Sequence, residues 1–411
     1  MMPTAHRVTT RHLQAAYLFQ SEGGLGSRGV YIGRDVFGGS FVYDPFELYD
    51  AGVIKNPNMV IAGQLGYGKS ALVKTYLARQ LIFGRSAVVL SPKPGEYDPL
   101  AEAFGVTPIR IAPGGHARLN PLDATLFTGV PAETATQLRE SLLVALAASA
   151  LDRPLQPEEA VACDVALFGA GDPAHVALPA VVERLLEPTD TMAGQASTDL
   201  ATLRHDGRKV GLALRRLVQG DLRGMFDGPT SPSVRMDRQL TVLDLSAVWG
   251  SDALGILMLC TSAWLQAIRA RVGAGKRIEV VDEAWAVLEK RAVAQGMRQQ
   301  FKLSRGYGLQ NIMVIHGVTD LSAAGDQALI ALGLLRDTET RVVLNTPADE
   351  VPAAARALGL TATQAAELPR MGEGRALWKV GRRTFLVDHR YSRAEAALIN
   401  TNHAMTTRAT P

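Results

Sequence analysis

Short, mainly apolar runs recur along this chain, and several are followed by a longer stretch whose apolar residues return every three or four positions. The strings "NMVIA" (58–62), "AVVLS" (87–91), "LTVLDL" (240–245), "RIEVV" (277–281), "NIMVI" (311–315) and "TRVVL" (340–344) are of the first kind, strand-length and rich in β-branched residues. A strand covered on both faces reads as such a continuous run, without polar alternation. Of the second kind are "SALVKTYLARQLIFG" (70–84) and "DPLAEAFG" (98–105), closed by Gly84 and Gly105 as helices commonly are. Strands alternating with helices predict an α/β fold with a mainly parallel sheet. Two places depart from this rhythm: around Gly38-Gly39 and around Gly381, paired β-rich runs predict hairpins. From about Ala132 to Arg223 the texture is Ala/Leu-rich with helical periods, which predicts an all-helical insertion. The expected organisation is an extension over 1–24, a first part of the α/β domain over 25–120, the insertion over 121–235, a second part over 236–400 ending in the last hairpin, and a flexible tail over 401–411.

Composition narrows this picture. At 411 residues, 47% hydrophobic and 20% charged, the chain can bury a full core in one large or two medium domains. A net charge of +3 does not demand a nucleic-acid partner. Two cysteines, Cys163 and Cys260, are too few for a disulfide framework or a zinc site of their own, which fits a reducing compartment. The longest apolar run, "ALGILMLCTSAWLQAI" (253–268), is interrupted by Thr261, Ser262 and Gln266. It falls short of the ~20 apolar residues that a membrane span requires, and is expected to be a core helix. The N-terminus lacks the apolar core of a signal peptide, so a cytoplasmic protein without an integral membrane segment is expected.

The chemistry begins in "VIAGQLGYGKSALVK" (60–74). Gly63, Gly68, Lys69 and Ser70 fit G-x-x-x-x-G-K-[ST], and the flanking strand and helix are the context this phosphate-binding loop requires. Consecutive amides unobstructed by side chains form an anion nest, and the helix N-terminus adds partial positive charge. Gly63, Gln64, Leu65, Gly66, Tyr67, Gly68, Lys69, Ser70 and Ala71 are therefore the expected nucleotide cradle, with Lys69 on the β- and γ-phosphates of ATP and Ser70 on Mg2+.

A second site candidate is "RIEVVDEAW" (277–285), an apolar strand ending in Asp282 and Glu283. Adjacent carboxylates at a buried strand end repel and are costly to desolvate. A magnesium–phosphate centre would use them: Asp282 for the metal, Glu283 to orient and deprotonate the attacking water. The plain alternative is a solvated strand end that opens a helix; pairing with a phosphate loop favours the first. No guanine-specifying N/T-K-x-D string occurs. His316, at the end of the next strand, suits a sensor of the γ-phosphate and equally a strand-end cap. Arg336 and Arg341 are either surface arginines or the source of an arginine finger for a neighbouring subunit. Trp249, Trp264 and Trp285 are expected as core aromatics.

Taken together, these strings resemble the conjugation and type IV secretion ATPases of the TraC/VirB type, within the HerA/FtsK superfamily. The resemblance runs from about Gly29 to Tyr391 through "IGRD", the phosphate loop, "SPKPGEYDPLAEAFG" (91–105), "RLNPLDA" (118–124), "GMFDGPTS" (224–231), "VVDEAW" (280–285) and the last hairpin. Ser91 stands where that family's pattern has Asp, and His316 where it has Gln. The resemblance implies a RecA-like ATPase with a helical insertion. It implies Mg2+-ATP hydrolysis and assembly into a ring such as a hexamer. It also implies partners in a secretion channel and its coupling proteins, at the inner face of the membrane. The large N-terminal region usual in that family is not expected in this compact form. A DNA translocase or coupling ATPase of the same superfamily, with DNA as partner, is the alternative within the class. A nucleotide-dependent scaffold without turnover is the alternative outside it.

Overall fold

In the computed structural model, residues 24–399 are described apart from 170–175, 221, 236–237, 271–274, 289–293, 295–296, 299–300, 303 and 318–331. Among the described residues, eleven strands form a single sheet. They are β1 (Val30–Asp35), β2 (Ser40–Tyr43), β3 (Met59–Ala62), β4 (Ser86–Ser91), β5 (Ile109–Arg110), β6 (Leu240–Asp244), β7 (Arg277–Val281), β8 (Leu309–Ile315), β9 (Thr340–Val343), β10 (Arg375–Val380) and β11 (Arg383–His389), in the order β2-β1-β11-β10-β9-β3-β8-β7-β4-β6-β5. The seven from β9 to β5 run parallel, and β1–β2 and β10–β11 are antiparallel hairpins extending the sheet beyond β9. Every strand-length apolar run noted above therefore lies in the parallel part, and both expected hairpins form where glycine separates two β-rich runs.

The two faces bury different partners, as the period-two alternation of a strand requires. Met59, Ile61, Ala87 and Val89 point to one side, against Leu72, Val73, Tyr76 and Leu77 of α1 (Lys69–Ile82) and the first hairpin. Val60, Ala62, Val88 and Leu90 point to the other, into a larger core shared with the helices that follow β5. Those helices are α2 (Ala132–Leu151), α3 (Pro157–Phe168), α4 (Leu178–Leu186), α5 (Asp190–Gln195) and α6 (Leu200–Gln219). In α6, Leu203, Val210, Leu214 and Leu217 form one buried stripe, and the Asp199 side chain caps the first turn by accepting from the Thr202 amide at 3.0 Å.

The run 253–268 is contained in α7 (Asp252–Ala270). Among the described residues no helix is long and apolar enough to cross a membrane. Cys163 and Cys260 are both buried and free. Of the three tryptophans expected in the core, Trp264 is fully buried, but Trp249 is 40% exposed. It meets the half-buried Trp285 edge-on at 5.7 Å, because both lie on segments that follow strand tips, where the sheet gives way to solvent.

Candidate active site

β3 is buried along its whole length and has parallel neighbours on both sides, β8 and β9. The loop after it thus emerges from the middle of the sheet at the carboxyl ends of the strands, where open α/β sheets bind ligands. Its first residues are fastened to the tips of the flanking strands: the Gly63 amide donates to the His316 carbonyl (3.1 Å) and the Gln64 amide to the Asn345 carbonyl (2.8 Å). Gly63 has φ +151°, and a Cβ there would lie 2.7 Å from Leu344 Cβ, so only glycine fits. Gly68 is the N-cap of α1 in the left-handed region, with no side chain capping the helix. The first amides of α1 are therefore open to an anion.

The Lys69 ammonium is turned inward. It donates to the carbonyls of Gly63 and Gln64 and lies 3.2 Å from His316 Nδ1. An ammonium has no acceptor capacity, so Nδ1 must accept and Nε2 carries the ring proton. Nε2 lies 2.8 Å from Glu283 Oε1. One imidazole at the tip of β8 thus links the phosphate-loop lysine to the acidic tip of β7. β8 lies between β3 and β7, so the two tips stand about 10 Å apart, two strand spacings. That gap suits a triphosphate and its metal.

Asp282 and Glu283 are both buried, at 2% and 5% exposure. Asp282 is placed by its amide, which donates to the Leu90 carbonyl of β4 (2.9 Å). Burial pushes its carboxyl above the ordinary range, opposed by the nearby Lys93 ammonium. Glu283 adopts φ +51°, an uncommon conformation for a non-glycine residue that often marks function. Burial raises its pKa too, but donation from His316 and Lys93 outweighs that and holds it at about 2. Lys93 Nζ is 2.6 Å from Glu283 Oε1 and 3.9 Å from Asp282 Oδ2. Trp285 Nε1 donates to Glu283 Oε2 at 2.8 Å.

The structure brings Lys69, His316, Asp282 and Glu283 together. It does not bring Arg336 and Arg341 to them. Arg341 pairs in register with Val60, two residues back from the strand tips. Its guanidinium donates to the carbonyls of Leu358 (2.7 Å) and Leu335 (3.4 Å). Arg336 is exposed and precedes β9. Two participants were not singled out from sequence: Lys93, whose only signal was its place in "SPKPGEY", and Trp285 as a donor to Glu283. Ser91 also belongs here, with its hydroxyl 3.5 Å from Asp282 Oδ2. An Asp at 91 would set a third carboxylate against a buried pair.

The donor set fits a magnesium nucleotide by its chemistry: open helix amides, an ammonium, a serine hydroxyl at 70 and a buried carboxylate at the adjoining tip. The molecule defined so far is a P-loop NTPase in fold, with a mainly parallel sheet. That fold is shared with VirB4 of Thermoanaerobacter pseudethanolicus, to which the chain is similar over 91% of its own length and 100% of that chain, with TM-score 0.69 and 20% identity. It is shared too with the bacterial conjugative coupling protein TrwB, over 94% of this chain and 92% of that one (TM-score 0.56, 14% identity). TrwB in complex with ADP and Mg2+ aligns over 82% of this chain and 86% of that one, with TM-score 0.53 and 15% identity. No protein-family model and no curated protein matches the sequence.

Proposed function

We propose that this chain is an ATP-hydrolysing motor subunit of a conjugation or type IV secretion apparatus, acting in a ring of copies of itself. The observation that carries the reading is the continuous link Lys69–His316–Glu283, which makes one site of two distant motifs. Lys69 and the amides of the cradle would bind the phosphates, and Ser70 and Asp282 would hold Mg2+. The metal supplies charge neutralisation at the phosphates when bound. Glu283 would orient the attacking water and take its proton, and His316 would relay the state of the phosphate end of the site to Glu283. TrwB has been captured with ADP and Mg2+ and with ATP and GTP analogues, which supports a magnesium nucleotide as ligand without fixing the base.

The test is Glu283→Gln. The amide keeps the size of the side chain and loses the base. Nucleotide binding should stay near wild type while turnover falls by about 10²–10⁴-fold, the range for loss of a general base. Turnover within a few-fold of wild type would remove Glu283 from that role, and a slow basal rate left unaltered by the change would favour a nucleotide-dependent scaffold.

A second reading, a DNA translocase or coupling ATPase, is supported by the similarity to the coupling protein TrwB over almost the whole chain. ATPase activity stimulated by DNA, with binding that weakens steeply as salt rises, would select it over protein secretion.

A further inference from the structure

The string "SPKPGEY" (91–97) is given no part in turnover by the proposed function, yet the loop it forms folds back against the tip of β7. Ser91 Oγ accepts from the Lys93 amide at 3.2 Å, bending the chain at once after β4. Glu96 pairs at 2.7 Å with Lys74 of α1, whose side chain is wholly buried, and its charge also acts on Lys93 and Asp282. Lys93 reaches the acids, its ammonium 2.6 Å from Glu283 and 3.9 Å from Asp282. Two adjacent buried carboxylates require a cation, and the Lys93 ammonium supplies one from the chain itself.

The two lysines of the site differ in freedom. Lys69 is 5% exposed and held by two carbonyls and an imidazole. The Lys93 side chain is 30% exposed, and its four-carbon stem can swing its charge into water. Pro92 and Pro94 on either side fix the backbone, so the stem is the part that can move. A divalent cation on Asp282 would repel an ammonium a few ångströms away and would neutralise the acids better than a single charge can.

We propose that Lys93 is a placeholder cation, holding the acid pair while no metal is bound and leaving Glu283 when a divalent metal enters with nucleotide. On this view Lys93 is a positioning residue: it keeps Glu283 engaged, and so unable to act on water, until the metal replaces it. The inference rests on the reading of Asp282 as a metal ligand.

The test uses the full chain and Mn2+ as probe, followed by electron paramagnetic resonance with and without ADP. If the ammonium sits on Glu283 about nine-tenths of the time, Lys93→Met should bind Mn2+ about tenfold more tightly than wild type. Lys93→Arg, which keeps the charge, should stay near wild type. Lys93→Gln repeats the loss of charge with a polar side chain, in case the methionine variant fails to fold. Unchanged or weaker Mn2+ binding in the uncharged variants, with wild type taking up Mn2+ beside ADP, overturns the role of Lys93 alone. Failure of wild type and variants alike to take up Mn2+ with ADP overturns the metal reading of Asp282 and this inference with it.

Discussion

The phosphate loop and the acidic strand tip face each other across one strand, and they are built in opposite ways. The loop is shaped by backbone: glycines at positive φ, amides tied to neighbouring carbonyls, and a lysine folded onto the loop's own carbonyls. The tip is held by side chains: Lys93, His316 and Trp285 all converge on Glu283. A backbone cradle can receive any ligand with the right phosphate geometry, and its specification is local in sequence. A side-chain clamp can be rearranged by a change of charge, and its parts come from wherever the sheet brings them. On the proposed function, the fixed half of the site would be residues 63–70 and the responsive half 282–283.

The largest effect should come from the one side chain on which the cradle depends. In Lys69→Ala the loop loses its bonds to Gly63, Gln64 and His316, and a bound phosphate would lose its charged partner. Removing a charge-assisted bond and leaving its partner groups unpaired costs about 3 kcal/mol or more, or on the order of 100-fold in affinity. Equilibrium binding of a fluorescent ATP analogue measures it. Affinity within a few-fold of wild type would show that the amides alone suffice and that Lys69 is a structural tie.

Next is Gly63→Ala, which attacks the backbone itself. The new Cβ meets Leu344 Cβ at 2.7 Å and the Asn345 carbonyl at 3.2 Å, at a φ that side chains rarely adopt. Strain of this kind costs about 1–3 kcal/mol, read as a lower midpoint in urea, and the displaced loop should bind nucleotide more weakly. Loss of nucleotide binding without loss of stability would mean that the loop relaxes freely and that its ties to Asn345 and His316 carry little.

The same contrast explains what could be read from the chain before its structure. The phosphate loop was legible because its requirements, glycine at fixed offsets between a buried strand and a helix, are written within a dozen residues. Six of the seven parallel strands were legible for a related reason: the sheet interior is covered on both faces, so each is a run rich in apolar residues, whereas the two-residue β5 carries no such run. Glu283 was legible as an acid at a strand tip, but its partners were not. Lys93 follows β4, His316 follows β8, and Trp285 lies in the short helix Ala284–Leu288 that begins after the turn at Glu283, whose φ is +51°. Only the order β3-β8-β7-β4 makes them neighbours. Arg341 shows the same limit from the other side. Its sequence position near a strand left a surface role and a finger for a neighbouring subunit both open; the register sets it level with Val60 and its guanidinium donates to the Leu358 carbonyl.

The smallest expected effect tests the side-chain clamp at its least charged member. Trp285 Nε1 is the donor to Glu283 Oε2, while Oε1 takes both Lys93 and His316. Trp285→Phe keeps an aromatic ring against Trp249 and removes only that donor. A hydrogen bond to a charged acceptor contributes about 1.5–3 kcal/mol, but Trp285 is only half-buried, so water can replace the indole and the net loss should be near the bottom of that range or below it. If the bond orients Glu283 toward water, kcat should fall several-fold with KM for ATP little changed, because the cradle that binds the phosphates is untouched. If KM rises while kcat holds, Trp285 shapes nucleotide binding and the division between a fixed cradle and a responsive tip is drawn in the wrong place.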